Sequence, residues 1–276
     1  MSFKTITPGE VPSAALHAYL LGAVAPRPIA FASTIDKEGN VNLSPFSFFN
    51  VFGSNPPIAI FSPARRVRDN TIKHTLENVQ EVPEVVINVV NYAMVQQTSL
   101  GSCEYPKGDN EFEKAGFTEL ASEMVKPPRV KESPVQLECK VLDIIYTGTE
   151  GGAGNLIVCE VLKIHVSKSV LNEDGRIDQH KIDLVGRLGG DWYVRASGDA
   201  LFQVEKPNTK LGIGFDKLPK AIRESKVLTG NQWAQLANVS ELPVATNFSA
   251  EESFHKAAGM LLDNGKVAEA WALLSA

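Results

Sequence analysis

The chain has 276 residues, 43% hydrophobic and 21% charged, a balance ordinary for a globular protein that buries a core without metals or disulfides. A net charge of −5 argues against a general nucleic-acid binder, no stretch approaches the roughly 18 apolar residues of a membrane span, and the first ten residues lack the pattern of a secretory signal. The three cysteines, Cys103, Cys139 and Cys159, have no metal-type spacing and leave an odd thiol, which reads as a reduced, cytoplasmic chain whose thiols serve as small hydrophobes.

In chain order, the apolar run 29–35, the turn residues 36–40 and the resumed run 41–44 predict a β-hairpin. Pro56 and Pro57 lead into a buried strand over 58–61. Asp69 and Asn70 are good N-caps for a helix over about 71–79. The β-branched run 84–90 predicts a strand, 92–100 a helix, and 111–115 a short helix stopped by Gly116. Residues 135–147 and 155–167 predict two long strands, joined by a glycine-rich stretch, 148–154, that suits a flexible turn. A phosphate-cradling role for that stretch is the sharper alternative, but no strand–loop–helix context follows it. Residues 172–175 form another loop.

The character changes over 216–276, which reads as helical. Ser249 and Glu252 have the spacing of a capping box. Phe254, Ala257, Ala258, Leu261 and Leu262 then share one helical face, a turn follows at 263–265, and Val267, Ala270, Trp271 and Leu274 make a second stripe. A packed helical hairpin is the plain reading and a partner-docking surface the sharper one.

Three segments could carry chemistry. In the first, Arg27 lies between two prolines that preset an extended backbone, and the strand after it ends in the hydroxyls of Ser33 and Thr34. Alone, this is also a strand with a surface arginine. The second, 42–50, gathers Asn42, Ser44, Ser47 and Asn50 among aromatic residues. It can hydrogen-bond the edge of a heteroaromatic ring, or it is a β-edge with aromatic core residues. In the third, Arg65, Arg66 and Arg68 precede the predicted helix start at Asn70, Thr71 and Lys73. Guanidinium groups beside a helix N-terminus suit a phosphate dianion, and a solvated charged turn is the plain alternative.

Taken together and in this order, the segments resemble the flavin reductase-like family of FMN-binding split-barrel proteins. Arg27-Pro28, Ser33-Thr34, the run from Asn42 to Ser47 and Pro56-Pro57 carry the resemblance. The stretches 109–117 and 187–193 add to it, and it spans roughly residues 10–205. The phosphate turn departs from the family pattern by one extra residue between Asp69 and Thr71, which leaves Asn70 or Thr71 open as the phosphate contact.

The resemblance implies a mainly β fold with helices: a split β-barrel over 1–210, followed by a helical C-terminal extension over 211–276. It also implies FMN at a homodimer interface. Ser33, Thr34, Asn42, Ser44 and Ser47 would line the ring and ribityl chain, with Asn50 grouped among the cofactor contacts. Arg68, Asn70, Thr71 and Lys73 would take the phosphate, and Arg27 and Tyr193 would lie nearer the exposed ring face.

The activity implied is hydride transfer from NADH or NADPH to FMN, with electrons passed on to an oxygenase or redox partner. Flavin hydride transfer needs two rings held close rather than a dedicated acid or base, so no catalytic side chain is assigned, and His74 and His165 read as structural or surface residues. The rival readings are a flavoredoxin-like electron carrier that keeps its FMN and an oxidase of the pyridoxamine-phosphate type.

Overall fold

The computed structural model describes residues 2–205, 207 and 211–275. The boundary expected after residue 210 abuts 208–210, outside the described residues. The chain divides into two compact units, Met1–Phe202 and Gln203–Ala276.

The first unit opens with helix α1 (Ser13–Ala23), followed by strands β1 (Ala30–Ile35), β2 (Val41–Phe46), β3 (Phe49–Ser54) and β4 (Pro57–Phe61). Helix α2 (His74–Glu81), strand β5 (Glu84–Val89) and helices α3 (Val95–Leu100) and α4 (Glu111–Ala115) come next. The short pair β6 (Glu119–Leu120) and β7 (Arg129–Val130) precedes the long strands β8 (Val135–Tyr146) and β9 (Asn155–Val166). Helix α5 (Gln179–Ile182) and the pair β10 (Val185–Arg187) and β11 (Tyr193–Arg195) complete the unit.

Seven strands form one antiparallel sheet in the order β2-β1-β5-β8-β9-β4-β3. In a flat sheet, β2 and β4 would lie about 24 Å apart, at roughly 4.8 Å per strand. Yet the rings of Phe46 on β2 and Phe61 on β4 have centroids 5.5 Å apart. The sheet is therefore rolled on itself as a split barrel, and Ala30, Ala32, Phe61, Ile87, Leu137 and Ile157 fill its interior.

Strand β1 is buried at every position because both of its faces are covered. Ala30 and Ala32 face the barrel core, whereas Phe31 joins Leu43, Met94 and Phe112 in a second cluster beneath α3 and α4. Cys139 and Cys159 lie inside the barrel, where burial pushes the Cys139 thiol up to about 12 and that of Cys159 well above its usual value. Neither offers a reactive thiolate at neutral pH.

Two helices of this unit differ from the sequence expectations. Helix α1 buries none of its residues and so carries no periodic apolar face for a sequence to reveal. Helix α2 begins at His74 rather than Thr71, because Asp69 accepts the backbone N–H of Thr71 and closes a local turn instead of capping the helix.

The second unit contains α6 (Lys220–Arg223), α7 (Gly230–Ala237), α8 (Glu252–Asp263) and α9 (Val267–Leu274), gathered around Ile222, Leu236, Leu262, Trp271 and Leu274. Trp271 donates its indole N–H to Leu236 O at 3.2 Å, and Trp233 donates to Ile222 O at 2.9 Å. The predicted hairpin of α8 and α9 is present, but its predicted capping box is not. Ser249 accepts from Glu251 N at 3.2 Å, outside a helix whose N-cap is Glu251. A capping box forms instead at Thr229 and Gln232, on α7. Among the described residues, no helix is long and apolar enough to cross a membrane.

Candidate functional site

Strand β2, the start of α2 and the loop after α3 enclose a polar recess, lined among others by Asn42, Ser44, Arg66, Lys73, Thr75 and Glu104. Pairing of β2 with β1 sets Asn42 against Thr34 and Ser44 against Ala32. Helix α2 is fastened over them by two buried bonds. Asn42 Nδ2 donates to Thr75 Oγ1 at 3.0 Å, and Asn78 Nδ2 donates to Thr34 Oγ1 at 3.2 Å.

The arginine segment forms the cationic end of the recess. Arg66 is its inner member, its side chain only 15% exposed, whereas that of Arg68 is 72% exposed at the rim. Arg66 donates to Thr71 Oγ1 at 2.9 Å and to Ile72 O, which fixes its guanidinium plane. Its Nε meets Glu104 Oε1 at 2.8 Å, Arg68 Nη2 meets Glu104 Oε2 at 3.0 Å, and Lys73 Nζ lies 3.5 Å from Oε1. Hydrogen bonds from Arg66 and Arg68 hold the Glu104 carboxyl down to about 2. The Thr71 hydroxyl and backbone N–H, aided by Arg68, do the same for Asp69.

The glycine-rich stretch between β8 and β9 is a prop for this segment rather than a free turn. Arg65 N donates to Ala153 O and Gly152 N to Arg65 O, both at 2.9 Å. A Cβ on Gly151 would lie 3.0 Å from Arg66 O and 3.1 Å from Val67 Cα, so a larger residue would press on the backbone of the arginine segment.

Deeper in the recess, Glu111 is buried and accepts Leu43 N at 2.9 Å. Burial raises its pKa, and burial lowers that of His74 on the recess wall. Both shifts favour neutral groups. The recess thus gathers cationic side chains at one end and hydrogen-bonding groups beyond them. That donor set fits a phosphate monoester joined to a polar or heterocyclic body, as FMN is.

Not all the predicted residues meet here. Asn42, Ser44 and Lys73 line the recess, with Arg68 and Thr71 joined to it through Glu104 and Arg66. Ser33 and Thr34 are fully interior, since successive side chains of β1 point to its two covered faces: Thr34 Oγ1 is taken up by Asn78, whereas Ser33 Oγ has no partner among the described residues. Asn70 adopts a left-handed backbone, φ 57°, and its amide is taken up by Arg65 at 2.7 Å and Thr149 O at 3.0 Å. Of the two residues left open for a phosphate contact, only Thr71 touches the cationic cluster. Asn50 lies on the exposed edge strand β3, its Oδ1 accepting the N–H of Val51.

Arg27 is enclosed by its own partners. It is 6% exposed and donates to Leu21 O and Val24 O at the end of α1, to Leu188 O at 2.8 Å and to Ser47 Oγ at 3.3 Å. With four of its five N–H groups committed, it is a strut rather than a ring contact. It brings Ser47 and the closing segment together: Arg27 pairs with Arg187, whose guanidinium stacks 4.6 Å from the Tyr193 ring centroid. Tyr193 keeps partial exposure there.

Sequence reasoning missed the inward role of Arg66, the helix partners Thr75 and Asn78, and Glu104. A solitary acid in the loop 102–105, facing a basic run in a chain with few other basic runs, was the available signal for Glu104.

Comparison with known proteins shows the family and the fold. The sequence model of the family described as Flavin reductase like domain matches residues 22–181. An uncharacterized protein of Aquifex aeolicus is 40% identical over 189 residues, which make up 68% of this chain and 94% of that one. The crystal structure of nitrilotriacetate monooxygenase component B from Bacillus cereus superposes with a TM-score of 0.69 at 29% identity, covering 74% of this chain and all of that one, 100%. The 2-nitrobenzoate 2-nitroreductase of Pseudomonas fluorescens does so at 0.64 and 25%, covering 76% and 100% respectively.

Proposed function

The chain belongs to the flavin reductase-like family, and from that premise we propose that it is a flavin oxidoreductase that binds FMN through the polar recess of its first unit. The observation that carries this reading is the convergence of Arg66, Arg68 and Lys73 on one point beside Asn42 and Ser44. When bound, FMN supplies the hydride-accepting chemistry, with NADH or NADPH as transient donor. Arg66 and Lys73 hold the phosphate, with Arg68 at the rim. Ser44 and Asn42 contact the hydroxylated chain. Thr75 and Asn78 keep α2 seated so that these donors stay aligned. Glu111 and His74, whose burial disfavours their charged forms, add hydrogen-bonding groups to the wall.

The test is direct. Protein saturated with FMN should lose its oxidised-flavin absorption on rapid mixing with NADH or NADPH under anaerobic conditions. No bleaching with either donor refutes the reductase assignment. Rapid exchange with a reduced iron–sulfur protein would then mark an electron carrier.

The working unit in this reading is a homodimer, serving an oxygenase as electron acceptor. The similarity to a monooxygenase component B supports the acceptor. Support for the dimer is an apolar surface on the first unit. Val51 and Phe52 on edge strand β3 are 63% and 65% exposed, and Phe48 just before them meets His17 of α1 at a ring distance of 6.1 Å, near the exposed Tyr19 and Leu20. Exposed apolar side chains on a strand edge left unpaired among the described residues favour association. Light scattering should give about twice the 29.9 kDa chain mass, and Val51→Asp with Phe52→Asp should bring it to one. A wild-type protein that stays monomeric at micromolar concentration defeats the dimer.

A further inference from the structure

We propose that Glu104 is a resident counter-ion occupying the place of the flavin phosphate, so that FMN binds by displacing its carboxylate and leaves as the carboxylate returns. The proposal rests on the reading of the recess as a flavin-phosphate site.

The geometry is that of a stand-in. Two carboxylate oxygens are shared among three cations: Oε1 between Arg66 and Lys73, at 2.8 and 3.5 Å, and Oε2 with Arg68, at 3.0 Å. A phosphate monoester offers acceptor oxygens to the same donors with more charge, about −1.5 to −2 at neutral pH. Both cannot be held at once. With Glu104 engaged, three cations already face two carboxylates, since Arg68 also meets Asp69 at 3.0 Å. Adding a phosphate dianion would make the cluster net negative, whereas releasing Glu104 makes it neutral.

Glu104 is able to leave. Its side chain is 41% exposed, and it lies on the loop between α3 and α4 rather than in a ladder, so rotation about its own side-chain bonds carries the carboxylate into water. Asp69 is not free in this way, because Thr71 holds its Oδ1 through both backbone N–H and hydroxyl, at 3.1 and 2.6 Å. Of the two carboxylates, one is fixed in the turn and the other is exchangeable. Its return also offsets the charge left unpaired when flavin departs, which suits a protein that hands reduced flavin to another.

The test compares FMN with riboflavin, which lacks the phosphate, by flavin fluorescence titration of the full chain. Glu104→Gln keeps the size of the side chain and removes its charge. It should tighten FMN about tenfold and leave riboflavin unchanged, the scale of a few partly exposed ion pairs acting together. Glu104→Ala should act in the same direction. If the wild type prefers FMN to riboflavin, but both variants bind FMN with equal or lower affinity, Glu104 is a positioning residue and the proposal is overturned. If neither wild type nor variants distinguish FMN from riboflavin, the phosphate reading itself falls, and the displacement with it.

Discussion

Replacing Arg66 by alanine should lower FMN affinity by roughly 30- to 100-fold, the range expected when a charge-assisted, plane-matched phosphate contact is lost in a partly buried site. Arg66 is set apart from its neighbours by orientation rather than composition. Arg65 is spent on Asn70, and Arg68 stands largely in solvent, whereas Arg66 is held by Thr71 and Ile72 with its Nε turned into the recess. Arg68→Ala should therefore weaken FMN less than Arg66→Ala. Riboflavin affinity separates a lost phosphate contact from a collapsed loop. If Arg66→Ala weakens FMN and riboflavin equally, the residue supports the loop and does not hold the phosphate. Arg66→Lys, which keeps the charge but loses the fork geometry, should fall between wild type and alanine.

The second large effect is on stability. Arg27→Met should destabilise the first unit by about 3 kcal/mol, the cost of removing a buried guanidinium whose acceptors are left unpaired. Leu21 O and Val24 O belong to the end of α1, where helix carbonyls have no partners of their own, and Leu188 O belongs to the closing segment. A methionine fills the volume but donates to none of them. Denaturant melts should show a lower midpoint with an unchanged slope. An unfolding free energy within about 0.5 kcal/mol of wild type would show that water replaces the guanidinium and that the strut is dispensable.

How much of this was legible in sequence depended on whether the determining contact was local. The β1–β2 hairpin, the short helix ended by Gly116 with φ 71°, and the long strands β8 and β9 follow from turn chemistry and β-branched runs. Strand β3 was not marked, because its residues face solvent along an edge and show no buried alternation. Helix α1 was hidden for the related reason that it buries nothing.

At the site, the basic run and the polar segment were readable as a pair, but the assignment within the run was not. Which of several adjacent arginines turns inward depends on the left-handed backbone at Asn70 and on the prop from residues 151–153, some eighty positions away. Arg27 was placed near the ring by the family resemblance, whereas its proline context fixes a backbone and says nothing about acceptors brought from residue 188. Ser33 and Thr34 looked accessible because the second layer over β1 comes from distant helices.

The rolled sheet carries one more implication. Its two outermost strands, β2 and β3, make no ladder with each other among the described residues, and across this seam the two ends of the sheet meet through side chains such as Phe46 on β2 and Phe61 on β4. A seam of this kind yields more readily to small displacements than a ladder does, since sliding it breaks no directional bond. Asn42 and Ser44 stand on the strand that borders it. A displacement of β2 along the seam would carry Asn42 and Ser44 with it, which ties the compliance of the scaffold to the shape of the recess.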